Sequence, residues 1–400
     1  MRILFLTSEL PYPAESGGAI KTLSLISYLR ARHELRVLCF HRSGLTDQQA
    51  RWVAETGVKS VPLSRGRNLR NLALSYISGL PLSIERNRSD AMRDLAARMV
   101  EAYRPQAIFV DGWLMAQYLP PAPGGGLKLL HEHNAEHVMW QRQAQIERNP
   151  LRRPLVRLEA RRVETYEASV MARFDIVFAV SPADKRALTA LGTNRDTVQV
   201  LPNLPDESLL DLPPLSFERG EPLIFYFGTL SWQPNIEGLD YFLRSVFPLV
   251  RGQVPEARFI IAGRGAPAAL QRTARATAGA ELLGPISDAE PYYQRARAFV
   301  EATRSGGGTK LKVLNALARG LPVAATPEAV EGLDIEPEKH ALTGEGAPAL
   351  AQAVVRLLRD PGIWAALSEN GRQLVRERYT AGTAYAVLDE VLSGAGTTAV

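Results

Sequence analysis

Cysteine is nearly missing from this chain: Cys39 is the only one, so no intramolecular disulfide holds the fold, and a reducing compartment fits. It lies in the apolar run Leu35 to Phe40, which reads as a buried strand thiol rather than a reactive one. Long apolar runs are missing too: nothing reaches the roughly eighteen uncharged residues a spanning helix needs. The N-terminus enters Arg2-Ile3-Leu4-Phe5-Leu6-Thr7 without the apolar core or cleavage site of a signal peptide. A soluble, cytoplasmic protein is expected, with peripheral contact at the inner membrane face left open. No nucleic-acid motif and no platform of interleaved aromatic and basic residues occurs, so nucleic acid is not an expected partner. With 46% hydrophobic and 22% charged residues, the composition is that of a globular protein and excludes a disordered or fibrous chain.

What is present needs two cores, because 400 residues exceed what one core usually serves. Short apolar runs alternate with amphipathic stretches, the pattern of parallel sheets covered by helices on both faces. Strands are expected at 3–7, 35–40, 59–63, 107–111, 127–131, 176–180 and 198–201, with helices between most of them, among them an arginine-rich helix around 155–173. From Pro202 to Pro222 the rhythm dissolves around Pro205, Pro213, Pro214 and Gly220, which marks a linker. It restarts with strands at 223–227, 258–262, 281–283, 298–301 and 322–325, and three closing helices follow from Pro348. The fold class expected is α/β: two doubly wound, Rossmann-like domains facing across a cleft. Their bounds are 1–205, a linker at 206–221, and 222–378. A final helix and tail, 379–400, is expected to cross back to the first domain. In open parallel sheets ligands bind beyond the carboxyl ends of the strands, so function should sit in the residues that follow each strand.

The net charge of +5 is carried by arginine clusters, Arg65, Arg67 and Arg70 and then Arg142 to Arg162. Glutamates interleave the second cluster, which favours a solvated helix face, while an anionic membrane surface stays open as the alternative. The loop through Ser16-Gly17-Gly18 leaves a strand and enters a helix, so its backbone can approach an anion at a helix N-terminus. A plain turn gives the same residues. The run Arg304-Ser305-Gly306-Gly307-Gly308-Thr309-Lys310-Leu311-Lys312 repeats the arrangement with cations on both sides, the ingredients of a diphosphate cradle. It is not a P-loop, since Thr309 precedes Lys310, and Gly263-Arg264-Gly265 does not complete a dinucleotide fingerprint. The run His131-Glu132-His133-Asn134-Ala135-Glu136-His137 invites a metal reading, with His133 and His137 sharing a helix face. Against it stands a histidine that reaches out with Asn134 to hydrogen-bond a substrate, and no metal is expected.

In their order these segments resemble glycosyltransferase family four, the retaining group of GT-B fold. They are Pro13 through Gly18, His133-Asn134, Val180-Ser181-Pro182, Leu201-Pro202-Asn203, Phe227-Gly228-Thr229-Leu230, Ile261-Ala262-Gly263-Arg264-Gly265, Leu283-Gly284-Pro285-Ile286, and Gly306 through Val323. The stretch Ser231-Trp232-Gln233-Pro234-Asn235 is similar to an exopolysaccharide and surface-glycan branch. The resemblance implies sugar transfer from a UDP- or GDP-linked donor to a glycan or lipid-linked acceptor, without cofactor or metal. By it, the base lies near Gly263, Arg264, Gly284, Pro285 and Ile286. The diphosphate lies between Gly17 and Gly18 and the amides of Gly307, Gly308 and Thr309, and Gly228 and Lys312 also bind the donor. His133, Arg304 and Lys310 are the catalytic residues, and Asp111 and Asn134 face the acceptor. Two departures stand out: the paired glutamates usual in the family are replaced by Gly307 and Asn315, leaving Asn315 to contact the ribose, and Thr229 stands where an arginine is usual. Two other readings remain, a catalytically poor sugar-nucleotide-binding partner subunit and a nucleotide-sugar epimerase of the same fold.

Overall fold

The computed structural model describes residues 1–14, 17–42, 44–63, 69–120, 126–147, 149–192, 197–304 and 309–397. The chain divides into two units, residues 1–202 together with 386–400, and residues 203–385. No helix among the described residues is long and apolar enough to cross a membrane.

Unit 1 runs β1 (Arg2–Thr7), α1 (Gly17–Arg30), β2 (Glu34–His41), α2 (Asp47–Thr56), β3 (Lys59–Pro62), α3 (Leu69–Ser78), α4 (Leu82–Arg86), α5 (Asp90–Tyr103) and β4 (Ala107–Asp111). It continues through β5 (Leu127–Glu132), α6 (Glu136–Ile146), α7 (Arg153–Met171), β6 (Ile176–Ala179), α8 (Pro182–Thr189) and β7 (Val198–Val200). The seven strands form one parallel sheet in the order β3-β2-β1-β4-β5-β6-β7. Buried on both faces, its strands read as continuous apolar runs: every residue of β4 is buried. Phe5, Phe109 and Phe178 stack in turn across β1, β4 and β6, with ring centroids 5.0 and 6.0 Å apart. Local chemistry sets the helix ends: Thr46 and Gln49 cap α2 reciprocally, and Gly57 stops it at φ 67°.

Unit 2 opens with α9 (Ser208–Asp211), then β8 (Leu223–Phe227), α10 (Gln233–Tyr241), α11 (Phe247–Gln253), β9 (Arg258–Ala262), α12 (Ala268–Ala276), β10 (Ala280–Gly284) and α13 (Glu290–Arg295). There follow β11 (Ala298–Glu301), α14 (Leu311–Arg319), β12 (Val323–Ala325), α15 (Pro327–Val330), β13 (Leu342–Thr343), α16 (Gly346–Arg359), α17 (Pro361–Arg378) and α18 (Ala381–Ala384). Its parallel sheet has the order β10-β9-β8-β11-β12-β13. The last helix, α19 (Ala386–Thr397), belongs to unit 1, where Tyr28 of α1 donates to Asp389 at 2.7 Å.

The proline-rich stretch after Pro202 is laced to unit 2. The Asn315 side chain accepts from the Asp206 amide at 2.9 Å, Arg319 donates to the Pro213 carbonyl at 2.9 Å, and Arg372 reaches the carbonyls of Leu210 and Leu212. Prolines and short polar side chains leave that backbone without ladder partners, so unit 2 side chains satisfy it instead.

Candidate active site

In each sheet the strand order reverses once, between β1 and β4 in unit 1 and between β8 and β11 in unit 2. Such reversals open a crevice at the carboxyl ends of the strands. Both crevices hold a buried carboxylate on the last residue of the reversing strand.

In unit 1 that carboxylate is Asp111. Register alone sets Thr7 of β1 and His131 of β5 opposite it. Its Oδ2 accepts from Thr7 Oγ1 at 3.1 Å and Thr22 Oγ1 at 2.5 Å, and its Oδ1 from His131 Nδ1 at 2.7 Å and His133 Nε2 at 3.0 Å. Burial would push the carboxyl up, but the charge and hydrogen bonds of the two histidines outweigh it and hold it well below its ordinary range. Burial pushes His131 down to about 3 against the pull of Asp111, so it stays neutral. His133 goes the other way: burial disfavours its cation, yet the charge and hydrogen bond of Asp111 raise it above its ordinary value. A Cβ placed on Gly112 would stand 3.6 Å from His133 Cδ2, so the Nε2–Cδ2 edge of the ring faces the protein. Beside them Lys21, buried on α1, donates to the carbonyls of Leu201 and Pro202; burial lowers it far below a free lysine, opposed by Asp111.

Asp111, His131 and His133 are close enough to bracket a metal ion. With Asp111 ionised, however, both histidines turn N–H groups toward it, and its lone pairs are taken by four donors. The pairing of His133 with His137 on one helix face does not occur. His133 precedes α6, whereas His137 lies within it and gives Nδ1 to Glu167 at 2.5 Å. Glu167 also accepts the backbone amides of Glu136 and His137, capping α6.

In unit 2 the loops after β8, β9 and β10 form one backbone stack. Gly228 N donates to Ala262 O at 3.1 Å, Leu230 N to Arg264 O at 2.7 Å, and Gly263 N to Gly284 O at 2.8 Å. Gly263 holds φ 151°, and any Cβ there would lie 1.7 Å from the Gly228 oxygen, so no other residue fits. Arg264 and Pro285 are exposed on this stack, and Ile286 is half-buried. The buried carboxylate is Glu301. Lys312 of α14 stands 2.7 Å from it and donates to Tyr226 Oη at 2.8 Å and Asn235 Oδ1 at 2.5 Å. The ammonium is therefore held beside Gly228 with its charge offset by Glu301. Positive charge beyond that pair comes from Arg304, whose exposed guanidinium lies 4.2 Å from the centre of the Tyr241 ring, and from Lys310, just ahead of α14.

Of the residues expected at the site, Gly228, Gly263, Arg264, Pro285, Ile286, Arg304, Thr309 and Lys310 sit on loops after the strands of the unit 2 sheet, Gly284 closes β10, Lys312 lies in the first turn of α14 and Asn315 in its middle. Asn203 donates to the Thr309 hydroxyl. Gly307 and Gly308 lie outside the described residues. In unit 1, Gly17 and Gly18 open α1, and a Cβ on Gly18 would meet nothing within 4 Å. Asn134 sits beside Glu136, which burial and Glu167 push up to about 7. Asp111 is turned inward, positioning His131 and His133. Sequence reasoning passed over Thr7, Lys21, Thr22, Tyr226, Asn235 and Glu301. The signal for Lys21 was its spacing, four and seven residues before Leu25 and Tyr28, on the buried face of α1; for Glu301 it was a charge closing an apolar strand.

Two family models match the chain, a glycosyl transferase 4-like domain over residues 16–204 and glycosyl transferases group 1 over residues 221–360. With the two sheets, they make the chain a group 1 glycosyltransferase of GT-B type. Sucrose-phosphate synthase from Thermosynechococcus elongatus is similar in structure, with TM-score 0.70 and 17% identity over 100% of both chains. A glycosyltransferase from Rickettsia africae gives 0.68 and 14%, over 100% of this chain and 99% of that one. Anabaena Alr3699/HepE, solved in complex with UDP, gives 0.68 and 15%, over 98% and 100%. No curated protein matches the chain significantly.

Proposed function

We propose that the chain transfers a sugar, with retention, from a UDP- or GDP-linked donor to a glycan or lipid-linked acceptor of bacterial surface polysaccharide or glycoconjugate synthesis. The observation that carries this is the stack of Gly228, Gly263 and Gly284 at the carboxyl edge of the unit 2 sheet, the edge at which Arg304 follows β11 and Lys310 precedes α14. It offers close-packed backbone groups to a nucleotide and cations to its diphosphate. That HepE, of the same fold, is solved with UDP and with UDP-glucose supports the donor class.

The bond between the sugar's anomeric carbon and the diphosphate oxygen breaks as a bond to the acceptor oxygen forms on the same face, and the acceptor proton passes to the departing diphosphate. The protein positions and neutralises. Arg304 and Lys310 take up the developing negative charge without a metal, the amides of Gly17 and Gly18 add dipoles, and Asn315 contacts the ribose through its amide nitrogen, its oxygen being engaged by Asp206. His133, raised toward its cation by Asp111, hydrogen-bonds the sugar through Nδ1.

A thermal-shift screen against UDP, GDP, ADP and TDP should show one clear stabiliser. Arg304→Ala and Lys310→Ala should each weaken it roughly tenfold, the value of one charged hydrogen bond. Unchanged affinity in both variants removes the cradle. Conversion of the donor to its epimer without acceptor would replace transfer by epimerisation, and binding without turnover would leave a partner subunit.

A further inference from the structure

Seven of the ten large apolar side chains exposed among the described residues lie on two neighbouring pieces of unit 1, α3 and the start of α7. Singly exposed apolar residues need no explanation, but a cluster does. Ile77 is 83% exposed, Leu151 81% and Leu155 53%, joined by Leu72, Tyr76 and Leu158. α3 turns apolar residues outward on most of its surface and buries Ser75, the reverse of a helix made to face water. On α7 the inward stripe is Ala160, Val163 and Val170, so Leu155 and Leu158 form a second, outward stripe with Leu151 just ahead of it. The two pieces are joined: the Arg162 guanidinium lies 4.5 Å from the centre of the Tyr76 ring, and the Leu82 amide, just past α3, donates to Glu159 at 2.6 Å.

The charge around this apolar surface is mainly positive, with Glu147 and Glu164 at its margins. Residues 151–162 carry five arginines and one acid, Glu159, which is spent on Leu82 and Arg162. Arg153, Arg157 and Arg161 recur at one-turn spacing beside the leucines, so a cationic stripe flanks an apolar one. A second copy of the chain would set these arginines against their own kind across a two-fold axis. An anionic bilayer instead answers both features, phosphates to the arginines and acyl chains to the leucines. The surface is tied to the site of its own unit as well, since α6 leaves three residues after His133 and ends five residues before Leu151.

We propose that α3 and the start of α7, with Leu151 just ahead of it, form a docking face for an anionic lipid bilayer, on which the chain lies without inserting a spanning segment. The inference goes beyond sugar transfer and does not depend on it.

The test is co-sedimentation of the full-length chain, without donor or acceptor, with vesicles of phosphatidylglycerol and phosphatidylcholine and with phosphatidylcholine alone. Wild type should partition onto the anionic vesicles at least about tenfold better at low salt, and the preference should fade as salt rises. Ile77→Glu with Leu151→Glu, and separately Arg153→Glu with Arg157→Glu, should each lower partition roughly tenfold or more. All four side chains are exposed, so melting temperature and circular dichroism should stay at wild-type values. Wild type that fails to sediment with anionic vesicles overturns the proposal, as do variants that sediment equally well. A concentration-dependent dimer that the Ile77 and Leu151 changes turn into monomer, without any lipid binding, overturns it in favour of self-association.

Discussion

His133 shows how one buried carboxylate divides two neighbouring imidazoles. Both histidines bond to the same oxygen of Asp111, yet His131 is wholly enclosed and stays neutral while His133, partly open, is pulled toward its cation. A second cation at His131 would have to share an anion already serving His133. The expected outcome of a histidine titration by nuclear magnetic resonance is a His133 pKa above 6.5, and Asp111→Asn should bring it below 6.5, since burial remains when the charge is gone. The sign for stability follows: a raised folded pKa gives stabilisation present in full below the unfolded value and lost as pH climbs through the folded one. The margin of wild type over Asp111→Asn should therefore narrow as pH rises through the His133 titration, while the part due to Thr7, Thr22 and His131 remains. A His133 that titrates below 6.5 in the wild type would contradict the arrangement.

Elements tell a similar story about what holds unit 2 together. α14 ends at Arg319, which is buried and grips Glu290 of α13 with two hydrogen bonds of 2.6 and 2.7 Å. Breaking a buried pair from one side strands the other charge. Glu290 keeps some exposure, so Arg319→Ala should cost about 3 kcal/mol in chemical denaturation at neutral pH, the low end for such pairs. Burial would raise Glu290, but Arg319 and Gln294 outweigh it and hold it below 4.5. Its contribution is thus present above 4.5 and lost as pH falls through the folded value, so the deficit of the variant should shrink in acid. The same contrast between near and distant partners decides what the sequence discloses. Strands such as 107–111 are legible because a parallel strand buried on both faces must be apolar throughout. α6 is not, for its first amides are capped by Glu167, some thirty residues on, and no Ser, Thr or Asp stands before it. β13, of two residues, is too short to show any period. Gly263 is legible as a glycine after a strand, whereas the set around Lys312 gathers Tyr226, Asn235 and Glu301 from three separate elements and is visible only once the strand order is known.

At the scale of the whole chain, unit 1 is completed by residues that follow unit 2. After Tyr385 the backbone returns as α19, where Leu388 and Leu392 are buried and Asp389 receives the hydroxyl of Tyr28. Burial and then Asp389 push that hydroxyl up to about 12, so the contact is a neutral donor meeting a carboxylate across the physiological range. Unit 1 therefore cannot reach its full stability until α19 has been made, whereas unit 2 is one continuous stretch of chain. Leu388→Ala should remove about 3 kcal/mol from unit 1, the typical cost of a leucine cavity. Hydrogen exchange read by mass spectrometry locates the effect: faster exchange in β1 and β2, and unchanged protection in β8 and β11. Acceleration of equal size in both sheets would mean that the two units unfold as one, and that α19 stabilises the chain as a whole rather than the unit whose core it enters.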